Sequence, residues 1–467
     1  MNRQKTFNTF RQTYPSFVYD SYHYDVRPDG LHIVFSFRVM DREGRHPVVF
    51  SPSAFVPARR FLDFRQSAAT LDALVFHIGM AELVSYWKCF CPPAVEVRCG
   101  SLDAVQIAFW KRLYFLGLGE FFYTNGIVVS EADFMTIASN GSTHMLPLAD
   151  AGDRTACLLP IGGGKDSVVS LELLRGAGVG VTPLILNPRG ATLSCAAAAG
   201  FGVDDTLVLQ RSLDPLMLKL NGQGCLNGHT PFSALLAFYS LLAAQLSGVH
   251  AIALSNENSA NESTVAGTEV NHQYSKSWMF ERDFRRYVAS YLGGGYDYFS
   301  LLRPLCELQI AMLFARTERY FDIFRSCNVG SKQDVWCGRC AKCLFAFIIL
   351  SPFIAPGRLA SIFGRNMLDD ADMLPLLRQL TGRAETKPFE CVGTVDEVLA
   401  ALALTRRRWY DGGTLPALIA AAAPLPSWQD AARLIAPMAE EHFLDTGLLG
   451  HLACRLEEAR KEYMMHF

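Results

Sequence analysis

Residues 159 to 175, LPIGGGKDSVVSLELLR, run from an apolar segment through consecutive glycines into Lys-Asp-Ser and an amphipathic stretch. That order predicts a strand, a tight turn and a helix. Glycine adopts the positive φ values that let successive backbone N–H groups point inward, and the helix begins with its partly positive end at the same spot. An anion is accommodated there. Lys165 adds a full positive charge, Ser167 offers a hydroxyl donor and Asp166 is a candidate magnesium ligand. The spacing is not that of GxxxxGK[ST], because the first glycine of such a match would have to stand at Leu159. The segment reads as a nucleotide-phosphate site of another kind, and it commits this part of the chain to α/β architecture.

The surroundings agree. From Thr155 onward, short apolar runs (ACLLPI, VTPLIL, TLVL, AIAL) alternate with helical periods, the pattern of a parallel sheet with crossover helices. In such sheets, ligands meet the loops at strand C-termini. By that rule Asn187, closing VTPLIL, falls near an adenosine, and Ser255 to Asn258, including Asn256 and Glu257, form a second polar loop. The stretch Phe232 to Leu254 has the length of a membrane span, but Gln245, Ser247, Gly248 and His250 interrupt it. It reads as a buried helix ending near Gly248, followed by a core strand.

The first 150 residues carry strand-like runs at Leu31 to Val39 and His46 to Phe50 and a helical stretch from about Leu71 to Trp87. Beyond about Ser351 the chain turns Leu- and Ala-rich and reads as helical. The expected organisation is an N-terminal α+β domain over 1–150, a nucleotide-binding α/β domain over 151–352 and a C-terminal helical domain over 353–467.

Composition removes other classes. Net charge is −2, and the longest basic run is Arg406 to Arg408, so nucleic acid is not an expected partner. The N-terminus is polar, without an apolar signal core, and no membrane association is expected. The 13 cysteines are mostly scattered singly, which suits a reducing cytoplasm better than a secreted disulfide framework. Four of them, Cys327, Cys337, Cys340 and Cys343, do cluster, in the donor pattern of a closed structural zinc site. An iron–sulfur cluster and unliganded thiols are the competing readings.

Other polar groups are candidates for proton transfer: His229 in NGHTPFSA, His272 and Lys276 in NHQYSKS, and Cys225. His272 and Lys276 share a face if that segment is helical. Lys88, between aromatic residues and two cysteines, reads as a core position.

The motif GGGKDS resembles the SGGxDS pyrophosphate loop of the N-type ATP pyrophosphatases, with Gly162 in place of the usual serine. The cysteine cluster after such a loop is similar to that of the 7-cyano-7-deazaguanine synthases. Over nearly the whole chain, SYWK (85–88), GLGEF (117–121), IGGGKDS (161–167), NGHTPFSA (227–234), LSNENSANE (254–262), VNHQYSKS (270–277), LLRPLCEL (301–308) and FRSCN with WCGRCAKC resemble the UDP-N-acetylmuramoyl-L-alanyl-L-glutamate epimerases. That resemblance implies inversion of the terminal L-glutamate of UDP-MurNAc-L-Ala-L-Glu, with ATP and a divalent metal used and AMP and pyrophosphate released. It implies phosphate binding by Gly162, Gly163, Gly164, Lys165 and Ser167, and magnesium at Asp166 with Glu257. A ligase adding L-glutamate to UDP-MurNAc-L-Ala would supply the substrate. The alternative is another carboxylate-adenylating ligase of the deazaguanine type; a nucleotide-binding protein without turnover is the non-enzymatic one.

Overall fold

The computed structural model describes residues 2–44, 47–146, 154–265 and 270–466. The strands in chain order are β1 (Ser16–Arg27), β2 (Gly30–Met40), β3 (Val48–Phe50), β4 (Ser53–Pro57), β5 (Ala94–Val97), β6 (Thr136–Ser139), β7 (Ala156–Pro160), β8 (Gly180–Leu186), β9 (Leu207–Ser212), β10 (Ala251–Leu254) and β11 (Asp297–Ser300). The chain forms two compact units. The first comprises 1–153, 207–252 and 269–298, the second 154–206, 253–268 and 299–467. The boundary expected near residue 150 lies outside the described residues.

In the first unit the strand order is β9-β4-β2-β1-β5-β6, with β3 beside β2. The β1–β2 hairpin and the β2–β4 and β4–β9 pairs are antiparallel, whereas β1–β5 and β5–β6 are parallel. Along β2 the alternation expected from LHIVFSFRV holds: Leu31, Ile33, Phe35, Phe37 and Val39 are all buried on one face. The hairpin turns at Gly30, with φ 143°, where a Cβ would lie 2.0 Å from the Val56 carbonyl oxygen.

Helix Ala68–Trp87 packs on that sheet face and against helix Phe232–Ser247. Its N-terminus is capped by Ser67, whose side chain accepts the Thr70 N–H. It is long and apolar enough to cross a membrane by length and composition, and it is buried in the unit nearly all round. One buried charge lies inside it. Glu82, 1% exposed, pairs with Arg211 through Oε1–Nε at 2.5 Å and Oε2–Nη2 at 2.6 Å, and it also accepts the Tyr239 hydroxyl. A buried pair contributes little net stability, but removing one partner strands the other charge. Glu82→Ala is therefore expected to cost about 3–5 kcal/mol in chemical denaturation; a change below about 1 kcal/mol would show Arg211 to be solvated.

Helix Phe232–Ser247 ends at Gly248 in the left-handed conformation, φ 70°, and β10 follows, as the sequence pattern predicts. The segment carrying His272 and Lys276 departs from expectation. His272 sits in a turn, Lys276 ends the short 3-10 helix Tyr274–Lys276, and the α-helix begins only at Trp278. Ser277 caps that helix through the Phe280 N–H, which fixes its start at Trp278, two residues after Lys276.

In the second unit β7 and β8 run parallel, in register from Ala156↔Gly180 to Pro160↔Leu184, with helix Lys165–Gly176 as their crossover. Their C-terminal ends therefore deliver the glycine loop and Asn187 to one sheet edge. Chain order then passes through Ala341–Leu350 into a helical C-terminal region that includes Val395–Trp409 and Thr446–Met464. The molecule is thus mixed α/β with a helical C-terminal part.

Candidate active site

The glycine turn between β7 and helix Lys165–Gly176 forms as its sequence demands. Gly163 has φ 78°, and a Cβ there would come within 2.9 Å of the Ala191 carbonyl carbon and the Thr192 nitrogen, so backbone conformation and space both require glycine. Gly164 occupies the N-cap position of helix Lys165–Gly176. Around the missing Cβ of Gly162 nothing lies within 4 Å, so a serine would fit there without steric conflict. Ser167 donates its hydroxyl to the Gly164 carbonyl at 3.0 Å, within the first helical turn. Asn187 follows β8 with φ 54°.

Lys165 is buried, and its ammonium bridges Asp166 Oδ1 at 2.5 Å and Glu307 Oε2. Burial by itself lowers the lysine's proton affinity. The two carboxylates outweigh that, and the ammonium stays charged. Further carboxylates share the region. Glu397 Oε1 accepts the Glu307 backbone N–H at 2.5 Å, and Glu257, whose Oε2 accepts the Ser259 N–H, has its carbonyl held by buried Arg303 at 2.7 Å. Burial, reinforced by Asp166 and Glu257, raises the Glu307 carboxyl to about 7. Burial, then Glu397, raises that of Glu257. These carboxylates carry negative charge beyond what Lys165 offsets and put hard oxygen donors beside the glycine loop. Asn256 donates to Ser300 Oγ at 3.1 Å and shapes the turn before Glu257.

The cysteine cluster lies in the same unit. Sγ separations are 3.9 Å for Cys327–Cys340, 3.7 Å for Cys337–Cys343 and 3.5 Å for Cys340–Cys343. A zinc ion with Zn–S bonds of about 2.3 Å requires tetrahedral edges of about 3.8 Å. The cluster thus fits one metal ion, whereas a cubane would hold its cysteines further apart. Gly330 N–H approaches Cys327 Sγ at 3.1 Å, and Gly338, φ 64°, makes the turn between Cys337 and Cys340. Cys340 then starts helix Ala341–Leu350, which places a positive helix end beside the thiolates.

The proton-transfer candidates gather in the first unit. His272 Nδ1 is 2.5 Å from Glu120 Oε2, His229 Nδ1 is 3.9 Å from the same oxygen, and the two imidazoles lie 4.3 Å apart, centre to centre. Burial, with His272, Lys88 and Lys276 nearby, lowers the His229 pKa to about 3, so His229 is a neutral imidazole at working pH. Glu120, His229 and His272 also form a donor set for a transition metal. However, His272 Nδ1 and Glu120 Oε2 are in direct hydrogen-bond contact, closer than two ligands around a shared ion. Lys276 belongs to this cationic surrounding. Cys225 does not: its charged neighbour is Arg3, and burial raises its thiol pKa.

Sequence reading assigned no role to Glu120, Glu307 or Glu397, and placed Lys88 in the core. Glu120 and Glu307 do stand within GLGEF and LLRPLCEL. Nothing local distinguishes them from surface glutamates, because their partners are 152 and 142 residues away. Glu397 reads locally as the third residue of a capping box with Thr394.

Residues 8–301 match the family model described as the MurL N-terminal domain, and residues 323–433 match the MurL C-terminal domain. The chain belongs to the MurL family. Relatives named UDP-N-acetyl-alpha-D-muramoyl-L-alanyl-L-glutamate epimerase are similar over most of their length. One from Xanthomonas oryzae pv. oryzae (strain MAFF 311018) is 40% identical over 374 residues, covering 78% of this chain and 82% of the relative. One from Salinispora tropica is 34% identical, covering 89% and 91%, and one from a Micromonospora species is 33% identical, covering 89% and 93%. The MurL N-terminal match takes in the phosphate loop and the Glu120–His229–His272 group, and the C-terminal match takes in the cysteine cluster.

Proposed function

We propose that this chain inverts the terminal L-glutamate of UDP-MurNAc-L-Ala-L-Glu to D-glutamate in peptidoglycan precursor synthesis, after ATP-dependent adenylation of the α-carboxylate. The name carried by the relatives supports the inversion. The observation that carries the mechanism is the coexistence of a lysine-bearing phosphate loop with a carboxylate–imidazole group suited to proton transfer.

The chemistry explains the need for both. In the dipeptide the glutamate nitrogen is an amide and cannot form an imine. The ionised α-carboxylate opposes loss of the α-proton until its charge is masked. Joining it to the α-phosphate of ATP, with pyrophosphate leaving, makes an acyl phosphate whose Cα–H bond is far more acidic. Gly162, Gly163, Gly164, Lys165 and Ser167 would hold the nucleotide phosphates, with Asn187 toward the adenosine and Asn256 shaping the opposing loop. Magnesium at Asp166, Glu257 and Glu307 would supply charge neutralisation on the phosphates. Neutral His229 can accept the α-proton, and His272, held by Glu120, can return a proton to the carbanion, with Lys276 stabilising the enolate charge. Water then releases the D-product and AMP.

Incubation with the dipeptide substrate, ATP and magnesium in heavy water is the direct test. D-glutamate carrying one deuterium, with AMP and pyrophosphate, is expected. AMP release with another carboxylate and no exchange at Cα would assign the chain to ligase chemistry instead. Within the reading, His229→Gln and His272→Gln are each expected to slow inversion by about 10²–10⁴-fold. AMP formation on the first turnover should survive in both; if inversion were unchanged in the double variant, the histidines would have no part in it.

A further inference from the structure

Lys88 is the first residue beyond helix Ala68–Trp87, is 7% exposed, and donates to the Gly228 carbonyl at 2.6 Å, immediately before His229. An ammonium carries three N–H donors. Among the described residues this carbonyl is the one hydrogen-bond acceptor that Lys88 Nζ meets. A buried cation with unfilled donors is costly to maintain unless an anion completes it. Among the described residues, Glu120 favours the charged lysine but accepts no hydrogen bond from it, being engaged by His272 at 2.5 Å, while Lys276 and the two imidazoles contribute no negative charge. The surroundings of His229 therefore include a lysine that has been withdrawn from solvent and a second cation, Lys276.

We infer that Lys88 is the receptor for the side-chain carboxylate of the substrate's terminal residue, and thus the group that makes the enzyme specific for glutamate. The inference deepens the proposed function and rests on it. Once the α-carboxylate is activated, two anions stand near Cα: the adenylate phosphate, which the glycine loop would hold, and the side-chain carboxylate, two methylenes from the atom at which His229 and His272 would act. The diphosphate of the UDP-sugar lies beyond the alanine and the muramoyl group and cannot reach a pocket beside the proton-transfer groups. Burial lowers the proton affinity of Lys88, and a carboxylate bound to it would reverse that. Gly228 is fixed for this purpose: a Cβ there would press on Phe121 at 3.1 Å, and Asn125 Nδ2 holds the preceding carbonyl, of Asn227, at 3.0 Å.

The test compares UDP-MurNAc-L-Ala-L-Glu with the same nucleotide ending in L-glutamine, for the full-length protein and Lys88→Met. Methionine keeps the apolar stem and removes a buried charge, a change that folds tolerate; zinc content and the unfolding midpoint check this. Wild type is expected to prefer glutamate by at least about 100-fold in kcat/KM, because the neutral amide leaves the buried ammonium without a counter-charge and sets its own NH2 against it. Lys88→Met should bring the two substrates within about tenfold of each other, by loss on glutamate alone. Equal loss on both substrates, with α-deuterium exchange surviving from one isomer only, would make Lys88 a proton-transfer group and overturn the assignment. An unchanged preference would overturn it as well. If wild type inverts neither substrate, the proposed function itself fails, and this inference with it.

Discussion

Lys165→Ala is expected to abolish AMP release and glutamate inversion together, by about 10³-fold or more, equivalent to about 4 kcal/mol of transition-state stabilisation. Two losses combine. The phosphates lose their buried cation at the helix start, and the carboxylates of Asp166 and Glu307, which now share one ammonium, are left facing each other. Glu257 and Glu397 add to that repulsion, since each raises the proton affinity of a neighbour. Stability should fall by about 3–5 kcal/mol, the cost of breaking a buried ion pair from one side. Lys165→Met with Glu307→Gln removes charge of both signs and should recover much of the stability without the activity. The decisive measurement is parallel quantification of AMP and of deuterium at Cα. Inversion that persisted without AMP would show that the carboxylate needs no activation, and the adenylation step would be abandoned.

Loss of the metal from the cysteine cluster should have the second largest effect. The expected content is one zinc per chain with negligible iron or sulfide, and Cys340→Ser or strong chelation should destabilise the second unit by several kcal/mol. Nucleotide binding should weaken in step. Arg325 and Ser326 stand immediately before Cys327; the Arg325 N–H donates to the Gly163 carbonyl at 2.8 Å, and a Cβ on Gly164 would touch Ser326 Cβ at 3.3 Å. Within the loop between Cys327 and Cys337, Asp334 Oδ1 accepts the Ala191 N–H at 2.8 Å, next to the residues that Gly163 packs against. A metal at the cluster would thus fix a loop that itself buttresses the glycine loop. Cys454→Ser, at the exposed cysteine outside the cluster, is the control and should change neither property. Metal-depleted protein with an unaltered unfolding midpoint would reduce the cluster to unliganded thiols.

What could be read from the sequence was local. The strand, glycine turn and helix of the phosphate loop occupy consecutive residues, and backbone geometry alone makes them an anion cradle. Cys337, Cys340 and Cys343 lie within two turns of chain, so their convergence needs little from the rest of the fold. The helix ending at Gly248 follows from a terminal glycine and an apolar run. The placement of His272 and Lys276 on one helix did not hold, because Ser277 caps the following helix and leaves His272 in the preceding turn.

The sequence by itself determined the α/β class, the strand, glycine turn and helix of residues 156–176, the four-cysteine cluster and, through extended similarity, the family. Tertiary structure alone decided which acids and bases meet. Glu307 reaches Lys165 across 142 residues, Glu120 reaches His272 across 152, and the Gly228 carbonyl reaches Lys88 across 140. Short-range geometry follows from φ, ψ and side-chain reach, which residue identity constrains directly. Long-range pairs depend on how buried helices and strands stack, and a glutamate's pattern on its own helix does not encode which distant cation it will find in a low-dielectric interior.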